Sequence, residues 1–243
     1  MINKVLTGID FIDKDLDGLL QYGSYLLCGE AETGKRILTS QFLAQGLKNN
    51  EVCLLVTDES PVDYLLEVQE NLGFDFSLFL QKEVFSILQY ERKKEKMEGR
   101  IKQYISEVGA FVAKRGVERA VIDFSTVQDL LDETKIEENI IEFAEFLEKL
   151  HVTVIILLGK PRSPGMLRAE KALVAETVGT FRLEEKESNK GDRSVYRIEI
   201  ERIAGMFAPL PSWDFEIFKK EGSKVIVEGD RLLFSEIKNI NKK

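Results

Sequence analysis

The segment GEAETGKR, which runs from Gly29 to Arg36, has the spacing of a phosphate-binding loop, G-x-x-x-x-G-K. It follows a predicted strand and opens a predicted helix, so backbone N–H groups and the helix dipole would together create an anion site. Lys35 would reach the outer phosphates of a nucleotide. The alternative is a glycine turn with an incidental lysine. The residues predicted to bind nucleotide are Gly29, Glu30, Ala31, Glu32, Thr33, Gly34, Lys35 and Arg36.

The loop departs from the usual pattern at position 36, where a Ser or Thr hydroxyl is expected as a ligand of Mg²⁺. Arg36 cannot be a ligand, because a guanidinium has no acceptor and stays protonated. Two outcomes are open. Either Arg36 contacts phosphate itself in place of the divalent ion, or it turns to solvent and leaves the site without that ligand. ATP is the expected cofactor, and the use of Mg²⁺ is left undecided.

The surrounding sequence alternates short apolar runs with segments of helical periodicity. This order implies βαβ units and a parallel sheet, followed after Val174 by strands separated by turns, for example at 221–223 and at Gly229-Asp230, which indicates an antiparallel extension. Strands are predicted at 24–28, 52–57, 84–88 (a possible edge), 119–124 and 152–158. Helices are predicted from Lys35, after an N-cap and first-turn proline at Ser60-Pro61 until Gly73, from 101 to Gly116, and over 140–150, with a solvated helix start at the charged run 91–98.

Length and composition fit one α/β domain over residues 1–243, with a P-loop core at 1–173 and a β-rich extension at 174–243. The net charge of −8 disfavours nucleic acid as a partner, because a phosphate-backbone binder needs a basic surface. No apolar run reaches the ~18 residues that cross a bilayer, and we find no signal-peptide core. We therefore expect a cytoplasmic protein without a membrane contact. Cys28 and Cys53 are expected to be buried, reduced thiols.

Two segments before the loop carry a resemblance to a known family. TGIDFID at 7–13, followed by Gly23-Ser24, is similar to the T-G-I-x-x-L-D…G-S lead-in of KaiC-like proteins, and the loop follows at the expected distance. The sequence thus resembles a RecA/KaiC-type ATPase domain over most of its length. This resemblance implies a three-layer RecA-like P-loop NTPase fold, with a mainly parallel sheet and antiparallel C-terminal strands.

The resemblance also implies roles for two carboxylates. Glu59, in VTDE at 56–59, falls on the glutamate that activates water as a general base. Asp123, in VIDFS at 121–125, falls on the Walker B carboxylate that holds Mg²⁺ through its water shell. Each carboxylate also has a plain explanation, because an acid before a helix favours the dipole and Asp123 could cap a turn. LLGK at 157–160 falls on the sensor strand of the family.

A second departure from the family pattern lies in IEIERIAG at 198–205. This stretch resembles the strand and turn that KaiC-like subunits extend towards a neighbour's nucleotide, with basic residues before the glycine. Arg202 matches one basic position and would make a contact in trans, but Ala204 occupies the other. An arginine finger contributes ~10³–10⁵ in rate where it acts. The missing basic residue at position 204, together with Arg36 at the position of the metal ligand, indicates a degenerate, weakened ATPase.

Two further features stand outside the nucleotide site. The segment 160–171 carries Lys160, Arg162, Arg168 and Lys171 where RecA relatives contact DNA, and we interpret it as a solvated basic loop. Trp213 is expected to anchor the core or an interface.

We interpret the chain as a nucleotide-binding or pseudo-ATPase regulatory module, with weak or absent hydrolysis, that acts through protein partners or self-association. The alternatives are an active KaiC-like ATPase with an atypical Mg²⁺ site and Glu59 as base, and a DNA recombinase-like protein, which the charge disfavours.

Overall fold

The computed structural model describes residues 3–90, 100–186, 195–207, 209–219 and 225–231. Two predicted features, the charged helix start at 91–98 and the turn at 221–223, lie outside these residues.

The described residues contain eleven strands, and nine of them form one sheet. The strands are β1 (Lys4–Val5), β2 (Leu19–Leu20), β3 (Ser24–Gly29), β4 (Cys53–Thr57), β5 (Phe85–Gln89), β6 (Arg119–Asp123), β7 (Thr153–Gly159), β8 (Gly179–Lys186), β9 (Val195–Ile203), β10 (Ser212–Lys219) and β11 (Val225–Arg231). The order across the large sheet is β11-β10-β9-β8-β3-β7-β6-β4-β5, and β1 pairs with β2 separately. The predicted strand at 84–88 is β5 and lies at the sheet edge.

The sheet is parallel from β8 through β3 and β7 to β5, and antiparallel from β8 to β11. The antiparallel extension therefore begins one strand later than the sequence pattern suggested, because β8 still pairs in parallel with β3. All the parallel strands end at one edge of the sheet, where side chains from different strands can meet.

The helices in the described residues lie on both faces of the sheet. They are α1 (Asp10–Leu16), α2 (Lys35–Lys48), α3 (Val62–Asn71), α4 (Ser77–Gln81), α5 (Ile101–Arg115), α6 (Ser125–Gln128), α7 (Ile136–Lys149) and α8 (Pro164–Glu176). The helices α1 to α4 pack on one face and α5 to α8 on the other. This arrangement confirms the predicted three-layer α/β fold.

The central strands are apolar on both sides, and their alternation divides the core into two parts. Along β3, Tyr25 and Leu27 face the α1–α4 side, whereas Leu26 and Cys28 face the α5–α8 side. A residue period of two sends successive side chains to opposite faces, so the continuous apolar run fills both interiors. The strand end at Gly29 is thereby fixed within the core.

Three local predictions were wrong. Gly229-Asp230 belongs to β11 and forms no turn between strands. Pro61 is the N-cap of α3, which starts at Val62, so Ser60 does not cap this helix. The helix α8 covers most of the predicted basic loop 160–171, because the side chain of Ser163 caps its N-terminus by accepting from the Met166 N–H at 3.2 Å.

The C-terminal strands are anchored to the N-terminal helix through Trp213. Its side chain is fully buried, and its indole N–H donates to Asp15 Oδ2 at 2.7 Å. On the neighbouring strand, Arg197 makes two hydrogen bonds with Asp214, at 2.6 and 2.9 Å. Trp213 is therefore the core anchor that the sequence indicated. In the ranges the structure describes, we find no helix with the length and apolar character needed to cross a bilayer.

Candidate nucleotide site

The GEAETGKR segment connects the end of β3 to the start of α2, as predicted. A Cβ at Gly29 would lie 2.6 Å from the Leu183 carbonyl oxygen, so the chain must pass β8 without a side chain. Gly34 has φ 83° and is the N-cap of α2, and Glu32 has φ 62°. Left-handed residues in such turns form concave arrays of N–H groups that bind anions. The loop backbone thus has the character of a phosphate cradle at a helix N-terminus.

Lys35 is folded back onto the loop. Its ammonium donates to the carbonyl oxygen of Gly29 at 2.9 Å and also to that of Glu30. The Glu30 carbonyl also accepts from the Thr33 hydroxyl at 2.9 Å. Burial lowers the pKa of Lys35, and the negative charge of Asp123 acts in the opposite direction. The Lys35 ammonium is therefore held at the loop by two backbone carbonyl oxygens. A phosphate oxygen could accept the same hydrogen bonds in their place.

Arg36 forms an ion pair with Glu59. The Arg36 side chain is 57% exposed and that of Glu59 is 24% exposed, so the pair lies at the surface of the site. Glu59 is held by its backbone, because its N–H donates to Thr57 Oγ1 at 3.1 Å and its carbonyl accepts from Gln89 Nε2 at 3.1 Å. The sequence predicted that Arg36 contacts either phosphate or solvent. Its partner is instead Glu59, the candidate general base.

Asp123 lies at the end of β6, next to the end of β4. One of its carboxylate oxygens accepts from the Ser125 N–H at 3.1 Å, which is the turn cap that the sequence allowed. The Ser125 hydroxyl in turn donates to Asp58 Oδ1 at 2.7 Å. Asp58 received no role from the sequence, although it precedes Glu59 directly. Because β4 and β6 are parallel neighbours, Asp58 and Asp123 follow adjacent strands. Ser125 hydrogen-bonds to both carboxylates and so links them.

Arg36, Glu59 and Asp123 line one cleft. The other lining residues are Thr39, Ser40, Leu43, Leu55, Thr57, Leu65, Leu66, Gln69, Phe76, Phe85, Ile87 and Leu157. The fold thus brings together three of the predicted site residues in one otherwise mainly apolar cleft between α2, α3 and the sheet.

The donor set near Asp123 does not fit the usual coordination of Mg²⁺ in a P-loop site. The nearest hydroxyls along α2 are engaged with its backbone: Thr39 lies 3.1 Å from the carbonyl oxygens of Lys35 and Arg36, and Ser40 lies 2.7 Å from that of Arg36. Within the described chain we find no group of three metal-ligating side chains. Arg36 brings a positive charge to the position that normally supplies a ligand.

Arg202, the predicted trans contact, is absent from the cleft lining. Its guanidinium donates to the Val174 carbonyl at 3.1 Å and to the Thr177 carbonyl, at the C-terminal end of α8. Ala204 follows at the end of β9, and its N–H donates to the Val178 carbonyl at 2.7 Å. Within this chain, therefore, Arg202 caps the C-terminal end of α8.

The basic residues after β7 have separate surroundings. Lys160 forms an ion pair with Glu30 of the phosphate loop. Arg168 lies on α8, where it donates to the Glu133 carbonyl at 2.9 Å and lies 3.8 Å from Glu137 Oε1. Arg162 and Lys171 are exposed. The sequence missed the link between Lys160 and the loop, because only the strand order places them side by side.

Comparison with known proteins supports this architecture. A family model for the KaiC ATPase matches residues 5–230. The fold is similar to the crystal structure of a KaiC-like protein from the hyperthermophilic archaeon Pyrococcus horikoshii OT3, with a TM-score of 0.76 and 20% identity over 94% of this chain and 100% of that chain. No curated protein matches the sequence. Since the family model spans nearly the whole sequence, the chain belongs to the KaiC ATPase family.

Proposed function

We propose that this protein binds a nucleotide polyphosphate at the GEAETGKR loop and hydrolyses it weakly or not at all, as a regulatory member of its family. The observation that carries the proposal is the ion pair between Arg36 and Glu59. It places the residue that replaces the metal ligand in contact with the residue expected to activate water.

The expected ligand fits the loop without a metal ion. A triphosphate would take the place of the loop carbonyls as partners of Lys35, while Arg36, held by Glu59, adds a nearby positive charge without leaving its carboxylate partner. Glu30 and Glu32 add negative charge beside this path, which opposes tight binding. We therefore expect modest affinity that depends little on Mg²⁺.

The same arrangement explains why hydrolysis would be weak. A general base must be positioned on the attacking water, with an oxygen free to accept its proton. The Glu59 carboxylate is instead engaged by the Arg36 guanidinium, which occupies one of its oxygens. Arg36 thus removes the usual metal ligand and also engages the base.

A regulatory role through protein contacts extends this proposal. Phe207 is 91% exposed at the turn after β9, beside the partly exposed Met206. We expect a protein partner to bind here, because covering these two side chains would remove apolar surface from water. Size-exclusion chromatography with light scattering, with and without ATP, tests whether that protein is a second copy of this chain.

A second candidate function is an active ATPase with an atypical metal site. It is favoured by the shared cleft, because Glu59 and Asp123 line the same space as Arg36. If the ion pair opens when nucleotide binds, Glu59 becomes available as a base.

Isothermal titration of ATP, with Mg²⁺ or with EDTA, tests the proposal. We expect nearly equal affinities in the two conditions for the wild type, and metal-dependent binding in the Arg36→Thr variant. Arg115→Thr is the matched control, because Arg115 also pairs with a glutamate, Glu83 at 2.8 Å, at the end of α5 that precedes β6. Tight wild-type binding that requires Mg²⁺ would contradict the proposal.

A further inference from the structure

Lys160 stands beside the phosphate loop because of the strand order. The strands β3 and β7 are parallel neighbours, and their last paired residues are Gly29 and Gly159. Glu30 and Lys160 are therefore the next residues after a matched pair at the same edge of the sheet. This position is set by the central sheet of the chain and needs no second subunit.

Glu30 is the acceptor for two lysines at once. Its carbonyl oxygen accepts from Lys35, and its carboxylate pairs with Lys160. Two ammonium groups thus lie on one residue at the start of the cradle, one contributed by α2 and the other by the segment after β7. The hydrogen bond and the charge of Lys160 lower the pKa of Glu30, so this carboxyl is ionised at neutral pH.

The pair between Lys160 and Glu30 is suited to exchange. The two side chains are 67% and 64% exposed, and surface ion pairs of this kind contribute little to stability. A triphosphate carries several charges and more acceptor oxygens than a single carboxylate, so it competes well for an exposed ammonium. The ammonium of Lys160 therefore lies at the edge of the anion site, in a contact with Glu30 that costs little to break.

We propose that Lys160 leaves Glu30 when nucleotide binds and contacts a phosphate oxygen in cis. The inference rests on the proposed nucleotide-binding function and adds a named phosphate contact to it. Lys160 would supply, from within the chain, a cation at a site where Ala204 provides none from a neighbour. Glu30 then acts as the competing acceptor that limits affinity.

Single variants cannot separate this role from simple charge neutralisation. Lys160→Met would weaken binding either by removing a phosphate contact or by leaving Glu30 unpaired beside the ligand. Glu30→Gln would strengthen binding in both cases. The two explanations differ only once Glu30 has lost its charge, because a lysine that merely neutralises it then has no further effect.

The experiment is therefore a double-mutant cycle, measured by titration of ATP and of inorganic tripolyphosphate in EDTA. In the Glu30→Gln background, we expect Lys160→Met to weaken binding of both ligands about tenfold, as for a charge-assisted hydrogen bond, and Lys160→Arg to retain most of the affinity. The difference should shrink at high salt. Lys149→Met and Glu145→Gln, separately and together, are the controls, because this exposed pair lies on α7 just before β7 begins.

Equal affinities of Glu30→Gln with and without Lys160→Met would overturn the role of Lys160 while leaving the nucleotide site intact. An effect on ATP but none on tripolyphosphate would also overturn it, because the contact would then involve the base or ribose. If neither the wild type nor Glu30→Gln binds either ligand, the proposed function fails and this inference fails with it.

Discussion

Arg202 donates a hydrogen bond to the carbonyl oxygen of Val174, at 3.1 Å, near the C-terminal end of α8. The last carbonyls of a helix have no partner within the helix, and a cation there also favours the helix dipole. Arg202 binds the Thr177 carbonyl as well. A residue that the family resemblance directs towards a neighbouring subunit thus has a local role in this chain.

Arg202→Ala is therefore expected to lower the free energy of unfolding by about 1 kcal/mol, because two helix-end carbonyls lose a charged donor. Urea denaturation measures this change. The control is Arg162→Ala, an exposed arginine between β7 and α8, for which we expect a change within about 0.5 kcal/mol. Unchanged stability of Arg202→Ala, combined with lost ATP turnover, would instead support a contact in trans.

Much of the fold could be predicted from the sequence, because the buried strands form continuous apolar runs. The run at 152–158 became β7, and the loop after β3 could be placed from its glycines alone. The helix α8 was missed although Ser163-Pro164 is an N-cap followed by a first-turn proline. The basic residues around this start signal are equally typical of a solvated loop.

The contacts of the site were harder to predict, because they depend on strand order. Arg36 and Glu59 meet only when α2 packs beside the end of β4, and Lys160 meets Glu30 only because β7 is the neighbour of β3. Local residue patterns indicate strands and helices but do not give the order of strands in a sheet. The residue types of the site were therefore predictable, whereas their partners were not.

The two cysteine thiols are expected to be unreactive in the folded protein. Burial raises the pKa of both Cys28 and Cys53 to about 12, and the thiolate is the form that reacts. Iodoacetamide at pH 8 should modify neither thiol in the native state and both in guanidinium. Mass spectrometry counts the modified sites, and rapid native labelling of either thiol would contradict the expected burial.

The same thiols predict how stability depends on pH. Their native pKa values lie above those of the unfolded chain, about 8.5, so their contribution is fully present below that pH and is lost as the pH rises towards 12. Urea unfolding at pH 7 and pH 10 measures the loss. The variant with Cys28→Ala and Cys53→Ala should lose less stability over this interval than the wild type.

Duplex DNA is expected to bind no better than non-specifically at physiological salt. The net charge is −8, and Arg168 is engaged with Glu133 and Glu137 on the chain's own surface. Fluorescence anisotropy over a range of salt concentrations tests this expectation. Submicromolar affinity with a steep salt slope, lost on neutralising Arg162, Arg168 and Lys171, would favour a recombinase-like role.

The remaining prediction concerns catalysis, where the two candidate functions differ. In the wild type, Glu59→Gln is expected to leave ATP turnover at its background level. A general base contributes ~10²–10⁴ only when phosphate and water are already positioned, and the Arg36 contact leaves Glu59 engaged elsewhere. A wild-type rate of about 1 s⁻¹ would be a typical lower value for an enzyme. If such a rate collapsed in Glu59→Gln, the protein would be an active ATPase.

Restoring both missing elements should then reveal their coupling. Arg36→Thr frees Glu59 and returns the hydroxyl that a P-loop site uses for Mg²⁺, while Ala204→Arg returns a basic residue to the turn after β9. Each element positions the same transferring phosphate, and residues that act as a unit are non-additive. Turnover of the double variant, measured by phosphate release in an assembled sample, should therefore exceed the product of the two separate gains. A double variant no faster than Arg36→Thr alone would mean that the residue at position 204 does not reach a neighbour's nucleotide.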